Sequence, residues 1–296
     1  MSVRGGGGDG LFRVGVDAGG TKVRAVLARR LEHELQILGR GTAGSANPRQ
    51  VGLTQAHAEI RAAIEAAFRV AGLEPAPERC LVHVGSAGLA TAEDVIAFES
   101  QHPYARLEAQ SDATLALSAY FAGDPGVLLI VGTGCIALAR GSDGKLYRRM
   151  GWGFPLEVGG GAWLGLEALR LALGDLEAHR DSELARRLKA EFDSPRGVME
   201  WIRGKSSGDY ARFARWVFEV ADARCRGLLE RWSDIAQRLV AELQGESGAA
   251  QVGVWGGLRK RLLERVKLEG YTEPKREPLE QALILADRLI GSASTS

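Results

Sequence analysis

The chain has 296 residues, 45% of them hydrophobic, so it can bury a sizeable core in one large or two modest domains. Its 38 Lys and Arg balance 37 Asp and Glu, and a net charge of +1 provides no global basic field for nucleic acid. No apolar run reaches the ~18 residues of a membrane span, and the N-terminus lacks a signal-peptide core. We therefore expect a cytoplasmic protein with a small-molecule partner, and no nucleic-acid or membrane partner.

Two strand-like segments near the N-terminus flank a glycine turn. The apolar residues 11–14 lead into Gly15-Val16-Asp17-Ala18-Gly19-Gly20-Thr21-Lys22, and a second apolar run covers residues 23–28. This pattern predicts a β-hairpin whose tip presents backbone N–H groups, with one acid at its base. Such a tip can hold a phosphate, although these residues alone also fit a plain hairpin turn.

The following segments predict strands that alternate with helices. A third strand is expected over 35–44, a long amphipathic helix over 53–68, strands over 81–85 and 106–110, and a short helix over 92–100. Another helix is expected to open at Ser111-Asp112, where the serine suits an N-cap. Helices that follow a three-strand meander in this way indicate a mixed α/β domain with a boundary near residues 123–126.

The second half repeats the arrangement of the first. Apolar runs at 127–131 and 135–140 flank Gly132-Thr133-Gly134, and a third run covers 145–150. Further along, we expect a glycine-rich loop over 151–161, helical stretches over 163–243, a strand over 250–255, and helices over 258–268 and 279–290. Two such strand-turn-strand units indicate a duplicated fold with two phosphate-gripping tips.

Two aspartates are candidates for phosphoryl-transfer chemistry. Asp17 ends the first strand, where a carboxylate can hold Mg²⁺ through its water shell, although a turn-capping role fits equally well. Asp112 can orient an acceptor hydroxyl and take its proton late in a loose transition state, while a helix-capping acid is the plain alternative. Neither a P-loop nor a Rossmann fingerprint is present, so the phosphate grip is expected at the hairpins.

Three further features are weaker signals. The loop at residues 151–163 carries two Trp and one Phe among its glycines, a combination suited to stacking on a sugar. Gly256-Gly257 can let a flat ring approach the backbone, and a plain turn or helix cap fits as well. The three Cys and five His lack disulfide or zinc spacing, so we expect reduced thiols and no zinc site.

Five short motifs together resemble a known family. They are GVDAGGTK at 15–22, SDA at 111–113, LLIVGTG at 128–134, GWGFP at 151–155 and VWGGL at 254–258. In this order they are similar to the bacterial glucosamine and N-acetylglucosamine kinases of the BadF/BadG/BcrA/BcrD ATPase family, over about residues 12–290. The resemblance implies an α/β, actin-like (ribonuclease H-like) ATPase fold, with two duplicated domains around a cleft at 11–122 and 123–290. It also implies ATP and Mg²⁺ as cofactors, an amino-sugar substrate and a homodimer.

The resemblance further implies a role for each matched residue. The ATP-binding residues are Gly19, Gly20, Thr21 and Lys22 in the first phosphate loop, Gly132, Thr133 and Gly134 in the second, and Gly256 and Gly257 at the adenosine. The sugar-binding residues are Asn47, Ser86, Asp112, Gly151 and Glu157. Asp112 matches the catalytic base, and Asp17 matches the residue that positions Mg²⁺ through water.

Three positions depart from the family pattern. Ser111 replaces the usual Asn before the catalytic Asp, and Cys135 replaces Ser after the second tip, both mild changes. The family commonly has Gly-Asp-Glu-Gly, with its Asp on the sugar, where this chain has Leu156-Glu157-Val158-Gly159. An ungapped alignment places Val158 at the Asp position and loses a sugar hydrogen bond, at a cost of ~1–3 kcal/mol if its partner is buried. We expect instead a one-residue deletion that puts Glu157 there, and its carboxylate favours the free amine of glucosamine.

The leading hypothesis is an ATP- and Mg²⁺-dependent kinase that phosphorylates the 6-hydroxyl of an amino sugar. A catalytically weak sugar or nucleotide sensor of the same fold is an alternative, suggested by the altered loop at Glu157-Val158. An activator ATPase of a dehydratase is another, and it would need cysteines that hold an iron–sulfur cluster at a dimer interface.

Overall fold

The computed structural model describes residues 10–32 and 34–290, which form two compact units. Unit 1 takes the described residues of Met1–Asp124 and Pro274–Ser296, and unit 2 is Pro125–Glu273. The strands are β1 (Phe12–Ala18), β2 (Val23–Leu31), β3 (Glu34–Ala43), β4 (Cys80–Ser86), β5 (Arg106–Ser111), β6 (Gly126–Val131), β7 (Cys135–Arg140), β8 (Leu146–Met150) and β9 (Val252–Trp255).

Twelve α-helices lie in the described part of the chain, with a short 3-10 helix at Pro77–Arg79. They are α1 (Pro48–Val51), α2 (Leu53–Val70), α3 (Ala92–Glu99), α4 (Asp112–Tyr120), α5 (Gly161–Glu177), α6 (Glu183–Phe192), α7 (Pro195–Trp201), α8 (Ser207–Ala211), α9 (Ala214–Glu219), α10 (Ala223–Ser247), α11 (Arg259–Leu263) and α12 (Pro278–Arg288).

A five-stranded sheet in the order β3-β2-β1-β4-β5 forms the centre of unit 1. β1, β2 and β3 make an antiparallel meander, and β4 and β5 continue the sheet parallel to β1. The helix α2 covers one face with its buried apolar stripe, which includes Ile60, Ile64 and Phe68. Each strand and helix predicted in this part of the chain is present, because the alternating and helical apolar patterns are both unambiguous here.

The C-terminal helix α12 belongs to unit 1, so the predicted domain boundary of 123–290 is wrong at its C-terminal end. The helix packs against β1 and β4, where Gly15 permits a very close approach. A Cβ at Gly15 would lie 2.4 Å from the Leu283 backbone nitrogen. In sequence order this helix follows the second domain. It nevertheless packs in the first unit, because Gly15 has no side chain and lets the backbone at Leu283 approach closely.

Unit 2 repeats the strand order of unit 1. Its four-stranded sheet runs β8-β7-β6-β9, with β6, β7 and β8 in an antiparallel meander and β9 parallel to β6. This order matches β3-β2-β1-β4, so the duplication predicted from the two glycine turns is confirmed. The helical region that follows is divided into six helices, and the basic helix predicted over 258–268 is shortened to α11.

Helix lengths and hydropathy also bear on membrane insertion. Within residues 10–32 and 34–290, no helix combines the length and the apolar character that a membrane crossing requires.

An ion-pair cluster fastens α12 to the start of β1. Arg13 is fully buried, and its Nε donates to Asp287 Oδ1 at 3.0 Å while a second guanidinium nitrogen donates to the Leu11 carbonyl. Arg30 donates to the other oxygen of Asp287. Because Arg13 has no access to solvent, removing the charge of Asp287 leaves a poorly compensated cation inside the protein.

We expect Asp287→Asn to destabilise unit 1 by about 3 kcal/mol. All six Trp lie between residues 152 and 255, in unit 2. Urea unfolding followed by circular dichroism should therefore shift to lower urea by more than unfolding followed by tryptophan fluorescence. Arg196→Gln, which removes an exposed pair with Glu200, should change stability by less than about 0.5 kcal/mol. An unchanged circular-dichroism midpoint for Asp287→Asn would show that the cluster does not hold the helix.

Candidate active site

The carboxyl ends of three parallel strands align the candidate acids of unit 1. The register pairs Ala18 with Ser86, and Ser86 with Ser111. Asp17 therefore lies one residue before this row on β1, and Asp112 lies one residue after it, directly beyond the end of β5. Ligands of α/β sheets bind at such strand ends, so the structure brings the two aspartates to the edge where a substrate is expected.

Asp112 begins α4 immediately after its N-cap. The Ser111 hydroxyl accepts from the Thr114 N–H at 3.0 Å, which confirms the predicted cap. Part of the Asp112 side chain reaches solvent, yet its pKa is raised, first because the surrounding protein removes water and then because Asp17 adds a like charge. The Ala113 N–H, which donates to Oδ1 at 2.8 Å, acts in the opposite direction. A raised pKa moves a carboxylate towards the range of a useful general base.

Asp17 faces a cation that the motif analysis did not identify. Arg24 lies directly opposite it on β2 and donates to its Oδ2. Counting outward from the hairpin tip would have found this pair, because strand register in a tight hairpin is fixed by the turn. The Asp17 carboxylate is therefore oriented by Arg24 while remaining 18% exposed.

The donor set at this edge suits a weakly held, hard cation. No group of three or more His, Cys, Asp or Glu side chains within residues 10–32 and 34–290 could hold a metal ion. Mg²⁺ keeps much of its water and is commonly bound through one or two carboxylates together with substrate phosphates. Asp17, with Asp112 nearby in the register, fits that pattern and does not fit a zinc site.

The first phosphate loop, residues 19–22, is attached so that the Gly20 amide points outward. Gly19 donates to the Lys22 carbonyl at 3.0 Å, and the Gly19 carbonyl accepts from the Ala46 N–H at 3.4 Å. In a trans peptide the following N–H points away from the carbonyl, so the Gly20 N–H is directed away from Ala46. Gly20, Thr21 and Lys22 are exposed, which makes this tip a suitable cradle for an anion.

The second phosphate loop, residues 132–134, has the same character. Its carbonyls at Gly132 and Thr133 accept from the first two amides of α5, those of Gly161 and Ala162, at 2.8 and 2.9 Å. The N–H groups of Thr133 and Gly134 must therefore point away from α5, and no hydrogen bond in residues 10–32 or 34–290 uses them. Two adjacent outward amides form the kind of nest that binds phosphate.

Two predicted sugar ligands are largely committed to the protein itself. Ser86 is fully buried and its hydroxyl contacts the carbonyls of Ala46 and Ala87, so its prediction as a sugar ligand is corrected to a supporting role. Asn47 caps α1 through its side-chain oxygen, which accepts from the Arg49 N–H at 3.0 Å. Its amide N–H₂ group makes no hydrogen bond to the described residues.

The predicted sugar-binding residues of unit 2 lie in the glycine loop, which we define as residues 151–161. Gly151 has a φ of 77° and donates to the Cys135 carbonyl at 3.1 Å. Glu157 is only 6% exposed, and both of its oxygens accept from backbone amides. The carboxylate is thus engaged by the backbone inside unit 2, and its contact with the sugar amine stays a prediction.

The aromatic residues of the loop have different roles. Trp152 is 76% exposed and lies beneath the Arg148 guanidinium, whereas Phe154 packs on Tyr210 with ring centroids 4.7 Å apart. Trp163 is a core residue of α5 at 5% exposure, so its predicted contribution to sugar stacking is wrong. Of the two tryptophans, Trp152 has the exposure that stacking needs.

Gly256 and Gly257, predicted at the adenosine, follow β9. Gly256 has a φ of 101°, and a Cβ there would lie 2.4 Å from the Val131 carbonyl oxygen. The fold itself thus requires glycine at 256, which is the plain-turn explanation for this residue. Gly257 has open space around its α-carbon, as an approaching ring would need.

Burial determines the chemistry of all three thiols. Cys80, Cys135 and Cys225 are at most 3% exposed. Loss of water raises the pKa of Cys80 and of Cys135 to about 12, and the charges of Glu78 and Glu157 add to the respective effects. These are neutral packing residues, and they offer no surface thiolate for an iron–sulfur cluster.

The two-sheet α/β fold is that of the actin-like ATPase class, as the resemblance implied. The sequence model of the BadF/BadG/BcrA/BcrD ATPase family matches residues 14–260, and the chain belongs to that family.

Three relatives illustrate the similarity. The Vibrio cholerae glucosamine kinase GspK is 28% identical over 295 residues, with 94% of this chain and 96% of that protein covered. A Chromobacterium violaceum protein, proposed to be an N-acetylglucosamine kinase, is 28% identical with a TM-score of 0.82 over 93% of this chain and 99% of its own. A Porphyromonas gingivalis protein with the same proposed activity shares the fold at 18% identity and a TM-score of 0.62, covering 92% and 97% of the two chains.

We expect no thiol of the native protein to react with Ellman's reagent within minutes, because all three are buried and those of Cys80 and Cys135 stay protonated at neutral pH. The absorbance of the thiolate released from Ellman's reagent at neutral pH should correspond to three thiols per chain only after guanidinium is added. The guanidinium sample is the control for total thiol. A rapidly labelled cysteine in the native protein would contradict the burial and restore the activator-ATPase alternative.

Proposed function

We propose that the chain is an ATP-dependent kinase that transfers the γ-phosphoryl group to the 6-hydroxyl of an amino sugar, glucosamine or N-acetylglucosamine. The observation that carries the proposal is the alignment of Asp17 and Asp112 at one strand edge, beside a loop of outward amides. A phosphate cradle with two acids at a sheet's ligand-binding edge is what phosphoryl transfer requires. The Vibrio cholerae glucosamine kinase and the Chromobacterium violaceum protein support the sugar class.

Asp112 is the proposed catalytic base. Phosphoryl transfer passes through a loose transition state, so the base mainly orients the acceptor hydroxyl and takes its proton late. The raised pKa of Asp112 strengthens it as a proton acceptor. Its place at the start of α4, held by the Ser111 cap, limits how far the carboxylate can move.

Backbone amides are the proposed phosphate ligands. Gly20, Thr21 and Lys22 supply them in unit 1, and Thr133 and Gly134 supply them in unit 2. The Lys22 ammonium adds a positive charge to the first phosphate loop. Amides fixed by the hairpin need little reorganisation when charge develops on the transferred group.

Mg²⁺ is the proposed cation, and Asp17 would hold it through water. When bound, it would neutralise charge on the nucleotide phosphates. Arg24, which lies opposite Asp17 on β2, donates to one of its carboxylate oxygens and restrains that side chain.

Glu157 is the residue whose charge would favour glucosamine over N-acetylglucosamine, and a direct assay with both sugars distinguishes them. That carboxylate accepts two backbone hydrogen bonds and is buried. Asn47, with an unused amide donor, and the exposed Trp152 remain as proposed sugar contacts. The adenosine is proposed at Gly257, where the backbone is open.

We expect Asp112→Asn to lower kcat by about 10²–10⁴-fold, since the amide cannot accept the proton. ADP release with Mg-ATP should be measured against glucosamine, N-acetylglucosamine, N-acetylmuramate, glucose and mannose, and the phosphorylated position assigned by NMR. Asp124→Asn, an exposed partner of Lys275 in the same unit, is the matched control and should retain full activity. If no sugar is phosphorylated, the kinase proposal is refuted and the sensor alternative is favoured. If Asp112→Asn keeps full activity, Asp112 is not the catalytic base.

The pH profile provides a second test of the same residue. Asp112 is active only when deprotonated, and its pKa is raised above the ordinary 3.8 of an aspartate. Activity should therefore be lost as the pH falls through a value above 3.8, on the acid limb of kcat/KM. Circular dichroism should show that the enzyme stays folded over this pH range. An acid limb whose apparent pKa is at or below the ordinary aspartate value would then argue against Asp112 as the catalytic base.

A further inference from the structure

Glu157 fastens the glycine loop to the end of the second phosphate loop. Its Oε1 accepts from the Cys135 N–H at 3.2 Å, and its Oε2 accepts from the Gly153 N–H at 3.0 Å. The Cys135 carbonyl accepts in turn from the Gly151 N–H. Both backbone polar groups of Cys135 are thus held by the glycine loop, one of them through Glu157.

The same carboxylate determines what can occupy position 134. A Cβ at Gly134 would lie 2.3 Å from Glu157 Oε1, a distance that real side chains do not adopt. Gly134 is one of the two residues, with Thr133, whose amides point outward in the second phosphate loop. The position of Glu157 is therefore coupled directly to the backbone that presents this amide.

A carboxylate inside a protein is costly unless its oxygens are hydrogen bonded. Glu157 is 6% exposed, and its hydrogen bonds in the described chain come from two backbone amides. The Gly159 carbonyl next along the loop accepts from Trp232 Nε1 at 2.7 Å, which anchors the loop to α10. The buried acid is thus held in place by the backbone and by the loop around it.

We propose that Glu157 is a positioning residue that holds the second phosphate loop in its nucleotide-binding form. By taking the Cys135 N–H, it leaves Thr133 and Gly134 as the outward amides, and it fixes the chain that follows them. This inference rests on the proposed function, in which that loop binds the phosphates of ATP. Nucleotide affinity then depends on Glu157 even when no sugar is present.

The arrangement also links the two substrates. A sugar that orders the glycine loop stabilises Gly153 and Glu157 where they support the second phosphate loop. Coupling between two ligands is reciprocal, so each substrate should tighten the binding of the other. This synergy should be lost when the Glu157 connection is broken.

The first test is isothermal titration of ADP and of a non-hydrolysable ATP analogue, with and without amino sugar, on Glu157→Gln. The substituted amide can accept only one of the two backbone hydrogen bonds, so we expect about tenfold weaker nucleotide binding without sugar, and loss of synergy. Glu246→Gln, which removes an exposed pair with Arg149 in the same unit, should match the wild type. Equal melting temperatures for the variants would exclude general unfolding as the cause.

A direct sugar-binding role gives a different result. In that case Glu157→Gln would raise the sugar KM and leave nucleotide affinity without sugar unchanged, and the positioning role would be overturned. If Glu157→Gln loses nucleotide affinity in the absence of sugar, the positioning role is supported. Glu157→Asp should not rescue binding, because the shorter side chain cannot span both amides.

A double-mutant cycle tests the contact itself. Gly134→Ala should weaken nucleotide binding more in the wild type than in Glu157→Ala, where the opposing oxygen is absent. Additive effects would contradict the coupling. If the wild-type protein binds nucleotide but phosphorylates no sugar, the proposed function is refuted, and the effect of Glu157 on nucleotide affinity can still be measured. If the wild-type protein binds no nucleotide, both proposals are overturned.

Discussion

The orientation of a few peptide groups determines what the proposed phosphate loops can do. In each unit, a carbonyl of the turn is bonded into the protein, and the planar trans peptide sends the next N–H in the opposite direction. Ala46 fulfils this role in unit 1, and the first two residues of α5 fulfil it in unit 2. Outward amides are therefore a consequence of how the turns are attached, and of the loop glycines Gly134 has the tightest surroundings, because a Cβ there would meet Glu157 Oε1.

The positions of the two acids follow from a second constraint, the register of parallel strands. β1, β4 and β5 end in one row, so an acid near the end of β1 and an acid after β5 lie along the same edge. Their charges interact, and together with loss of water this raises the pKa of Asp112. The sheet thus places Asp112, the proposed base, near Asp17, the residue proposed to attract the metal, and Asp17 contributes to the raised pKa of Asp112.

Local sequence patterns were sufficient to predict most of this architecture. The two meanders, α2, and the cap at Ser111 depend on neighbouring residues, and each was predicted correctly. The assignment of α12 to unit 1 was not, because it depends on the contact between Gly15 and Leu283, residues far apart in sequence. The burial of Trp163 could not be predicted from the sequence either. It results from the packing of distant helices around this side chain.

Glu157 shows why a family motif can fix a residue's place without fixing its role. The sequence offered a carboxylate near the expected sugar position, and charge complementarity favoured an amine. The structure places one backbone donor on each oxygen of that carboxylate and buries it in unit 2, so the hydrogen bonds it makes serve the loop backbone. Asn47 retains amide N–H donors, which complement a sugar hydroxyl or an acetyl carbonyl and do not complement an ammonium. For a sugar placed at Asn47, discrimination between the two substrates must therefore come from groups that meet the C2 substituent, and Glu157 acts instead through the phosphate loop that it supports.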